Sequence, residues 1–534
     1  METKKAVKEN KNTRSCPYLD TVKRQVLDFD SEKECSVCLS HKNVYICLVC
    51  GLYLQGRGES TYAYSHSVQM DHHVFMNIET QRFYCLPDNY EVIDDTLNDI
   101  KLALDPVFTK EYIQRIDTIT TLSTDQMGTS YIPGVLGMTA VDSSDYINCI
   151  LHAFSQVKIL RDFFLLPENY QTCTSPLVHS FGSLIRKIWS PYRFRAKISP
   201  QEFLNELVRT SNSKYTVTKR QDSIQFLTWF VNYMHSQLKD KKDKSIVSEC
   251  FRGKIQIEET TYTERDTKRV KKEDLPIGPE EGEQSERKEQ VKEDMFDHTS
   301  TVKTIPCFFL SLDLPPIPVF KDDFNANTVQ HMPLYTLLEK FGGEHITVDS
   351  KTGVERKIKI ISLPKYLILV INRFIVNNFF LEKNNSVVQF PIKNLEMRDC
   401  VMPIVSPYPP VEELNTLSIN KLQKLLKSLK VDSNNIIEKE ELISKSKEAI
   451  NNYNSIHNNT KYNLIATVCH ELSVNEEQNK KRNIIESGFY KCFIRNKIST
   501  QWYEIQDALV READTVLISV SDAIILVYAR TDSE

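Results

Sequence analysis

The chain of 534 residues carries 67 Lys and Arg against 71 Asp and Glu, a formal charge of −4, with 13 cysteines and only 14 glycines. At ~150 residues per domain this length allows about two to four domains and a sizeable core, and the near balance of charge excludes a whole-chain electrostatic binder of nucleic acid. No G-x-G-x-x-G occurs, and Gly51 to Gly56 runs into Arg57-Gly58 where a phosphate loop needs Lys-Ser/Thr, so nucleotide-driven chemistry is not expected.

Residues 1–15 read as a disordered polar tail. Its basic set (Lys4, Lys5, Lys8, Lys11, Arg14) reads as a solvated tail ahead of a nuclear-import signal, and it has no apolar stretch of the secretory type. The longest apolar runs, such as Tyr366 to Ile371 and Ala523 to Tyr528, fall far short of the roughly 18 residues a membrane span needs, so no membrane partner is expected. The cysteines then belong to a reducing compartment, as metal ligands or free core thiols.

Residues 16–100 concentrate cysteine and histidine. Cys47-x2-Cys50, fifteen residues, His66, five residues, His72 supplies two thiolates and two imidazoles, a donor set for tetrahedral zinc. Two thiolates from one tight turn bind one side of an ion, and the histidines complete it. With no position left open, such a zinc is structural. Spacing alone leaves His72 and His73 as alternatives, and leaves open a second zinc on Cys16, Cys35, Cys38 and Cys85.

Residues 101–133 carry a helical pattern (Leu102, Leu104, Ile113, Ile116, Ile119) and read as a connector. From 134 to 534 a mixed region follows. Ser143 to Phe154, with Ser143 or Ser144 as cap, Gln201 to Val208 and Asp222 to Leu238 predict helices. Tyr366 to Val370, Val387 to Phe390, Tyr462 to His470, Tyr490 to Ile494, Trp502 to Ile505 and Ala523 to Tyr528 predict strands. Helices followed by strands give an α+β class. Insertions are expected at about 256–300, where Glu264 to Asp294 has 19 charged residues in 31, and at 409–459. The second insertion predicts a helical hairpin (Leu417 to Leu429, Glu438 to Ile450), either a surface hairpin or a module weakly resembling SAP-like nucleic-acid or protein binders.

The first segment resembles the ubiquitin-binding zinc finger of ubiquitin-specific proteases through Cys16-Pro-Tyr, Cys35-x2-Cys38, Cys47-Leu-Val-Cys50-Gly, Gln55-Gly-Arg57, His66, His72 and Phe83-Tyr-Cys85. Fuller members hold three zincs. The resemblance selects His72 over His73 and implies one ion here, since Gln55 and Tyr62 stand where Cys35 and Cys38 need partners, and Tyr18 and Asp88 where Cys16 and Cys85 do. That damage argues against capture of a ubiquitin C-terminus.

From Gly137 the chain resembles the catalytic domain of the same proteases, a papain-like thumb, palm and fingers fold. Tyr146-Ile-Asn148, Gln221-Asp222, Phe226-Leu227, Phe251-x-Gly253, Leu363-Pro-Lys-Tyr-Leu367, Arg373-Phe374, Phe390-Pro391, Tyr462-Asn-Leu464, Gly488-Phe-Tyr490 and Trp502-Tyr-Glu-Ile505 carry the match. The resemblance places Asp145 at the nucleophile position, Phe489 at the histidine, Gln506 at the orienting residue and Ala140 at the oxyanion donor, so no enzyme activity is expected. Cys149 is the one substitute nucleophile nearby, and His470 reads as structural. Within the family the resemblance is to splicing-associated members. It implies a nuclear, non-catalytic scaffold that assembles or maintains the tri-snRNP through spliceosomal proteins, with RNA contact indirect or local. The alternatives are a deubiquitinase using unorthodox residues and a receptor for ubiquitin or a ubiquitin-like protein.

Overall fold

The computed structural model describes residues 16–264, 296–316, 330–348, 354–377, 380–402, 408–409, 411–429, 431, 438–457, 459–472 and 484–533. The chain divides into two compact units, one of residues 1–247, 374–383 and 465–526 and one of residues 248–373, 384–464 and 527–534. The expected tail, 1–15, lies outside the described residues. Among these, no helix is long and apolar enough to cross a membrane.

The first unit opens with a five-stranded sheet of β1 (Val44–Cys47), β2 (Tyr53–Gln55), β3 (Val74–Asn77), β4 (Phe83–Cys85) and β5 (Tyr90–Val92), ordered β2-β1-β3-β4-β5 with every pairing antiparallel. Strand residues alternate between faces. Val44, Ile46, Val74 and Met76 meet Leu27, Phe29, Ile100 and Leu104 on one side, while Tyr45, Cys47 and Phe75 meet Ala63, Tyr84 and Leu86 on the other. Helix α1 (Tyr62–Met70) supplies Ala63, and α2 (Asn98–Leu104) supplies Ile100 and Leu104. Ile100, Ala103 and Leu104 pack into this core, so the apolar period of the expected connector begins against it. Beyond it the connector holds one short helix, α3 (Lys110–Arg115).

Five helices follow: α4 (Asp145–Ser155), α5 (Lys158–Leu165), α6 (Pro176–Trp189), α7 (Gln201–Thr210) and α8 (Ser223–Leu238). Their starts follow from the sequence. The Ser175 side chain accepts the Val178 N–H ahead of Pro176 at the first helical position, and the Asp222 side chain accepts the Ile224 N–H. At α4 the capping expectation fails, because Ser144 Oγ instead accepts the Val141 N–H at 2.9 Å and makes no side-chain cap. All eleven residues of α4 are buried, including a polar stripe of Asp145, Asn148, His152 and Ser155, which makes it a central helix packed on every side. Phe181, Phe203 and Phe230 meet edge-on at 5.3 to 5.9 Å where α6, α7 and α8 cross.

Finger and helices share charges inside this unit. Asp30 binds Arg193 at 2.5 Å and Lys187 at 3.1 Å, both cations being buried, and the Lys187 ammonium also donates to the Phe29 carbonyl at 3.1 Å. Burial pushes the Asp30 carboxyl up, but the charges of Arg193 and Lys187 outweigh it and hold the group at about 2.

In the second unit, β6 (Gly253–Glu264) and β7 (Phe296–Cys307) pair antiparallel from Gly253↔Cys307 to Glu264↔Phe296. Residues 256–264 and 296–300 are therefore sheet, which corrects the expected insertion at 256–300. Their Thr, Ile and Val content supports strands, whereas charge density dominated the reading of the segment. The charged stretch 265–295 lies outside the described residues. β8 (Leu310–Asp313) runs parallel to β11 (Tyr366–Asn372), and β9 (Gly342–Val348) and β10 (Glu355–Ser362) complete a sheet ordered β7-β6-β10-β9. The expected hairpin is present as α9 (Ile419–Ser428) and α10 (Lys439–His457), closed over its own core of Leu414, Leu422, Leu425, Leu426, Leu442 and Ile450.

The C-terminal strands β12 (Lys461–Glu471), β13 (Phe489–Arg495), β14 (Trp502–Gln506), β15 (Leu509–Ala513) and β16 (Ala523–Arg530) lie in the order β16-β12-β13-β14-β15. In the first unit, β13 pairs with β12 at His470↔Tyr490 and packs beneath α4.

Candidate metal centre and nucleophile position

The donor set of the finger converges. Cys47 ends β1, and the turn that returns to β2 needs Gly51 at φ +81°, where a Cβ would stand 2.6 Å from the Val26 carbonyl oxygen. Its N–H donates to the Cys47 carbonyl at 2.8 Å, which folds Cys50 back onto Cys47. Helix α1 carries His66, and its left-handed end at Asp71 turns the chain so that His72 faces the same point.

Cys47 Sγ lies 3.6 Å from His72 Nδ1, Cys50 Sγ 3.4 Å from His66 Nε2, and the two ring nitrogens are 3.0 Å apart. All four donor atoms fall within 4.8 Å of one another. A tetrahedral zinc with ordinary bond lengths has S···N edges of about 3.5 Å and an N···N edge of about 3.3 Å. The residues present fit that ion. The Cys47 thiol hydrogen-bonds Cys50 and lowers it to about 5, while the same contact and burial push Cys47 up.

His73 is engaged elsewhere. Its ring lies 3.8 Å from that of Tyr18, with Nδ1 2.8 Å from the Leu86 carbonyl and Nε2 2.9 Å from Asp71. Cys16, Cys35, Cys38 and Cys85 do not meet at one point among the described residues. Cys16 and Cys85 share Tyr90 as a hydrogen-bond neighbour, and burial raises Cys85 to about 11. The Cys38 thiol donates to Gln55 Oε1 at 3.3 Å, and Cys35 Sγ accepts the Gln55 N–H at 3.3 Å. Glutamine thus fills the place of a third ligand with an amide.

In the large domain Asp145 is the first residue of α4 and is 3% exposed. Arg220 Nε donates to its two carboxylate oxygens at 3.0 and 2.9 Å, and Tyr490, the second residue of β13, donates its N–H at 2.9 Å. The helix dipole adds to these, as expected for a carboxylate in a first turn. Arg220 also donates to the Glu486 carbonyl at 3.4 Å, so one guanidinium ties the start of α4 to the segment before β13. Sequence reasoning missed Arg220. It lies 75 residues from Asp145 in a polar stretch, and no local pattern marks it.

Phe489 is half-buried beside Tyr490, and Gln506 is half-buried at the end of β14. Asp507, at φ +51°, gives its carbonyl to the Met138 N–H at 2.8 Å. Burial, then the charge of Asp145, pushes the Asp507 carboxyl up. Ala140 has no polar side chain with which to donate. Cys149 is buried against the thiol of Cys492, and burial first, then that neighbour, raises it well above an ordinary cysteine. His152, one turn further, has no hydrogen-bond partner at either ring nitrogen and is pushed down to about 4 by burial. His470 is buried with its ring 4.8 Å from Tyr490, and burial, reinforced by Lys383, lowers it to about 3. Neither histidine is poised as a base.

Comparison with known proteins gives two family matches. Residues 136–528 match the ubiquitin carboxyl-terminal hydrolase model, and residues 35–97 match the zinc finger found in ubiquitin-hydrolases and other proteins. The chain is 37% identical to human ubiquitin carboxyl-terminal hydrolase 39, over 98% of this chain and 82% of the relative. It is 34% identical to the probable mRNA-splicing protein ubp10 of Schizosaccharomyces pombe, over 96% and 88%. A crystal structure of an essential yeast splicing factor is 25% identical with a TM-score of 0.65, covering 96% of this chain and 99% of that one. The chain belongs to the ubiquitin carboxyl-terminal hydrolase family and carries that family's zinc finger ahead of its hydrolase domain.

Proposed function

We propose that this protein is a non-catalytic scaffold of pre-mRNA splicing. It acts in the nucleus and assembles or maintains the tri-snRNP by binding spliceosomal proteins. In this reading a finger of about residues 16–100 holds one structural zinc through Cys47, Cys50, His66 and His72, residues 101–133 connect, and the hydrolase-type domain from 134 onward lacks a working triad. RNA is met indirectly or locally, as on the 409–459 hairpin.

The observation that carries the reading is Asp145. Where the family's cysteine would stand there is a carboxylate neutralised by Arg220 and held by the Tyr490 amide. A carboxylate is a poor nucleophile toward an amide, and Phe489 cannot take a proton. Losing an essential triad member costs about 10^6 in rate, and an oxyanion donor about 10^2 to 10^3 more. The printed names of the splicing relatives then supply the process.

Depleting the protein is expected to lower tri-snRNP levels and leave introns unremoved; normal tri-snRNP and normal intron removal would sink the scaffold. A ubiquitin bearing a C-terminal electrophile is expected to label the chain no more than a Cys149→Ala variant. Labelling that depends on Cys149 would instead establish a deubiquitinase with unorthodox residues.

A further inference from the structure

Cysteine pairs occur at four places among the described residues, and their surroundings differ in kind. Cys47 and Cys50 belong to the zinc donor set. Cys16 with Cys85, and Cys149 with Cys492, are buried pairs, and burial raises Cys85 and Cys149. Thiols held protonated away from solvent are inert. Cys35 and Cys38 are the remaining pair, with one sulfur buried and the other exposed.

The turn at residues 36–38 is closed by the Leu39 N–H donating to the Cys35 carbonyl at 2.9 Å, and the Cys35 N–H donates to the Ser40 carbonyl at 3.0 Å. This i to i+4 bond makes a single helical turn, which brings Cys35 and Cys38 back toward the same side of the chain. Ser36 donates its N–H to the Tyr53 carbonyl at 2.8 Å, which pins the turn to β2. The Cys38 thiol and the amides of Val37, Cys38 and Gln55 all reach the Cys35 sulfur. Burial pushes that thiol up, but these donors outweigh it and hold Cys35 below the ordinary cysteine value. Among the described residues no third and fourth metal ligand joins Cys35 and Cys38, and Gln55 meets both sulfurs with an amide.

We propose that Cys35 and Cys38 form a thiol–disulfide exchange site whose substrate is a small disulfide of the glutathione class. The exposed Cys38 thiol gives up its proton and its sulfur attacks one sulfur of oxidised glutathione. A Cys38–glutathione bond forms, the glutathione disulfide breaks, and one glutathione thiolate leaves to take a proton. The Cys35 sulfur, which shares Gln55 with Cys38 as a hydrogen-bond partner, then attacks Cys38 Sγ. The Cys35–Cys38 bond forms and the second glutathione leaves as thiolate. Two protein thiols are oxidised, one glutathione disulfide is reduced to two thiols, and both protons pass to the leaving groups. The amides that stabilise the Cys35 thiolate make it the resolving sulfur on closure and the better leaving group on reduction. Closure draws Cys38 Sγ away from Gln55, the last residue of β2, whose neighbour β1 ends in zinc ligand Cys47.

The test uses the full-length, zinc-loaded protein equilibrated with oxidised and reduced glutathione, with peptide mass spectrometry for the thiols and a chromogenic chelator for zinc. The wild type is expected to gain a Cys35–Cys38 disulfide while keeping its zinc. Cys35→Ser is expected to accumulate the glutathione adduct on Cys38 at least about tenfold over wild type, because the resolving sulfur is gone. Cys38→Ser, a change at an exposed position that leaves the core intact, is expected to carry neither adduct nor disulfide at Cys35. A wild type that stays reduced, that retains a stable adduct on Cys38, or whose first disulfide joins Cys47 to Cys50 with release of zinc would overturn the proposal.

Discussion

Replacing Cys47 with serine is expected to abolish zinc binding and unfold the finger, the largest effect predicted for any single substitution in this chain. Cys47 is buried at the end of the interior strand β1, so its loss removes a proposed metal ligand and leaves a hydroxyl facing three orphaned donors. Structural zinc contributes about 10 to 16 kcal/mol of apparent folding free energy in small fingers, comparable with the whole stability of an ordinary domain, about 5 to 15 kcal/mol. The sheet has little to set against this loss, because its strands are only three or four residues long. Metal analysis should return one zinc for the wild type and none for the variant, with new protease cleavage within residues 16–100. His73→Ala should keep the ion, since that ring is engaged with Tyr18, Leu86 and Asp71. Two zincs in the wild type would refute the single-ion count.

The second large effect is expected from Asp30→Ala. The substitution leaves Arg193 and Lys187, both buried, without the carboxylate they share. Breaking a buried pair from one side costs about 3 to 5 kcal/mol, mostly for the uncompensated charge. Denaturant unfolding should show that loss, and Asp30→Asn should recover only part of it by keeping hydrogen bonds without charge.

The same carboxylate sets a pH dependence. Its folded value of about 2 lies below the ordinary 3.8, so the stabilisation is fully present above pH 4 and is lost as the pH falls toward 2. Its size is about 2 kcal/mol. The gap between wild type and Asp30→Ala should therefore narrow as the pH falls toward and below 2, by up to about 2 kcal/mol; parallel curves down to pH 2 would show that Asp30 is not the titrating group.

Much of the site could be read without coordinates because its chemistry is local. A CxxC turn followed by histidines spaced along one helix and its end is a pattern in a single stretch of chain, and Cys47, Cys50, His66 and His72 do converge. Helices α7 and α8 and the C-terminal strands also carried their own periodicity. The long antiparallel pair β6–β7 was not legible because the charged stretch between its strands in the sequence outweighed the Thr- and Ile-rich residues on either side. Alternation along those strands was weak, since most of their described residues are at least partly exposed. The Ser144 cap failed for a related reason: the hydroxyl was legible, but its choice of the Val141 amide over the helix amides depends on the loop before it.

What the sequence determined by itself is the Cys47, Cys50, His66 and His72 donor set, since residue type and spacing along a single stretch of chain fix it, while the reading of Asp145 as the nucleophile position is what the family resemblance implies. Only the tertiary structure decided how those residues are satisfied. It brought Arg220 across 75 positions to Asp145 and aimed the Tyr490 amide at the same carboxylate. It also turned His73 away from the metal cluster, and gave Asp30 two cations from beyond the finger. These are long-range pairings of charges and amides that become buried together. Their partners are chosen by which elements pack side by side, and no local periodicity encodes that choice.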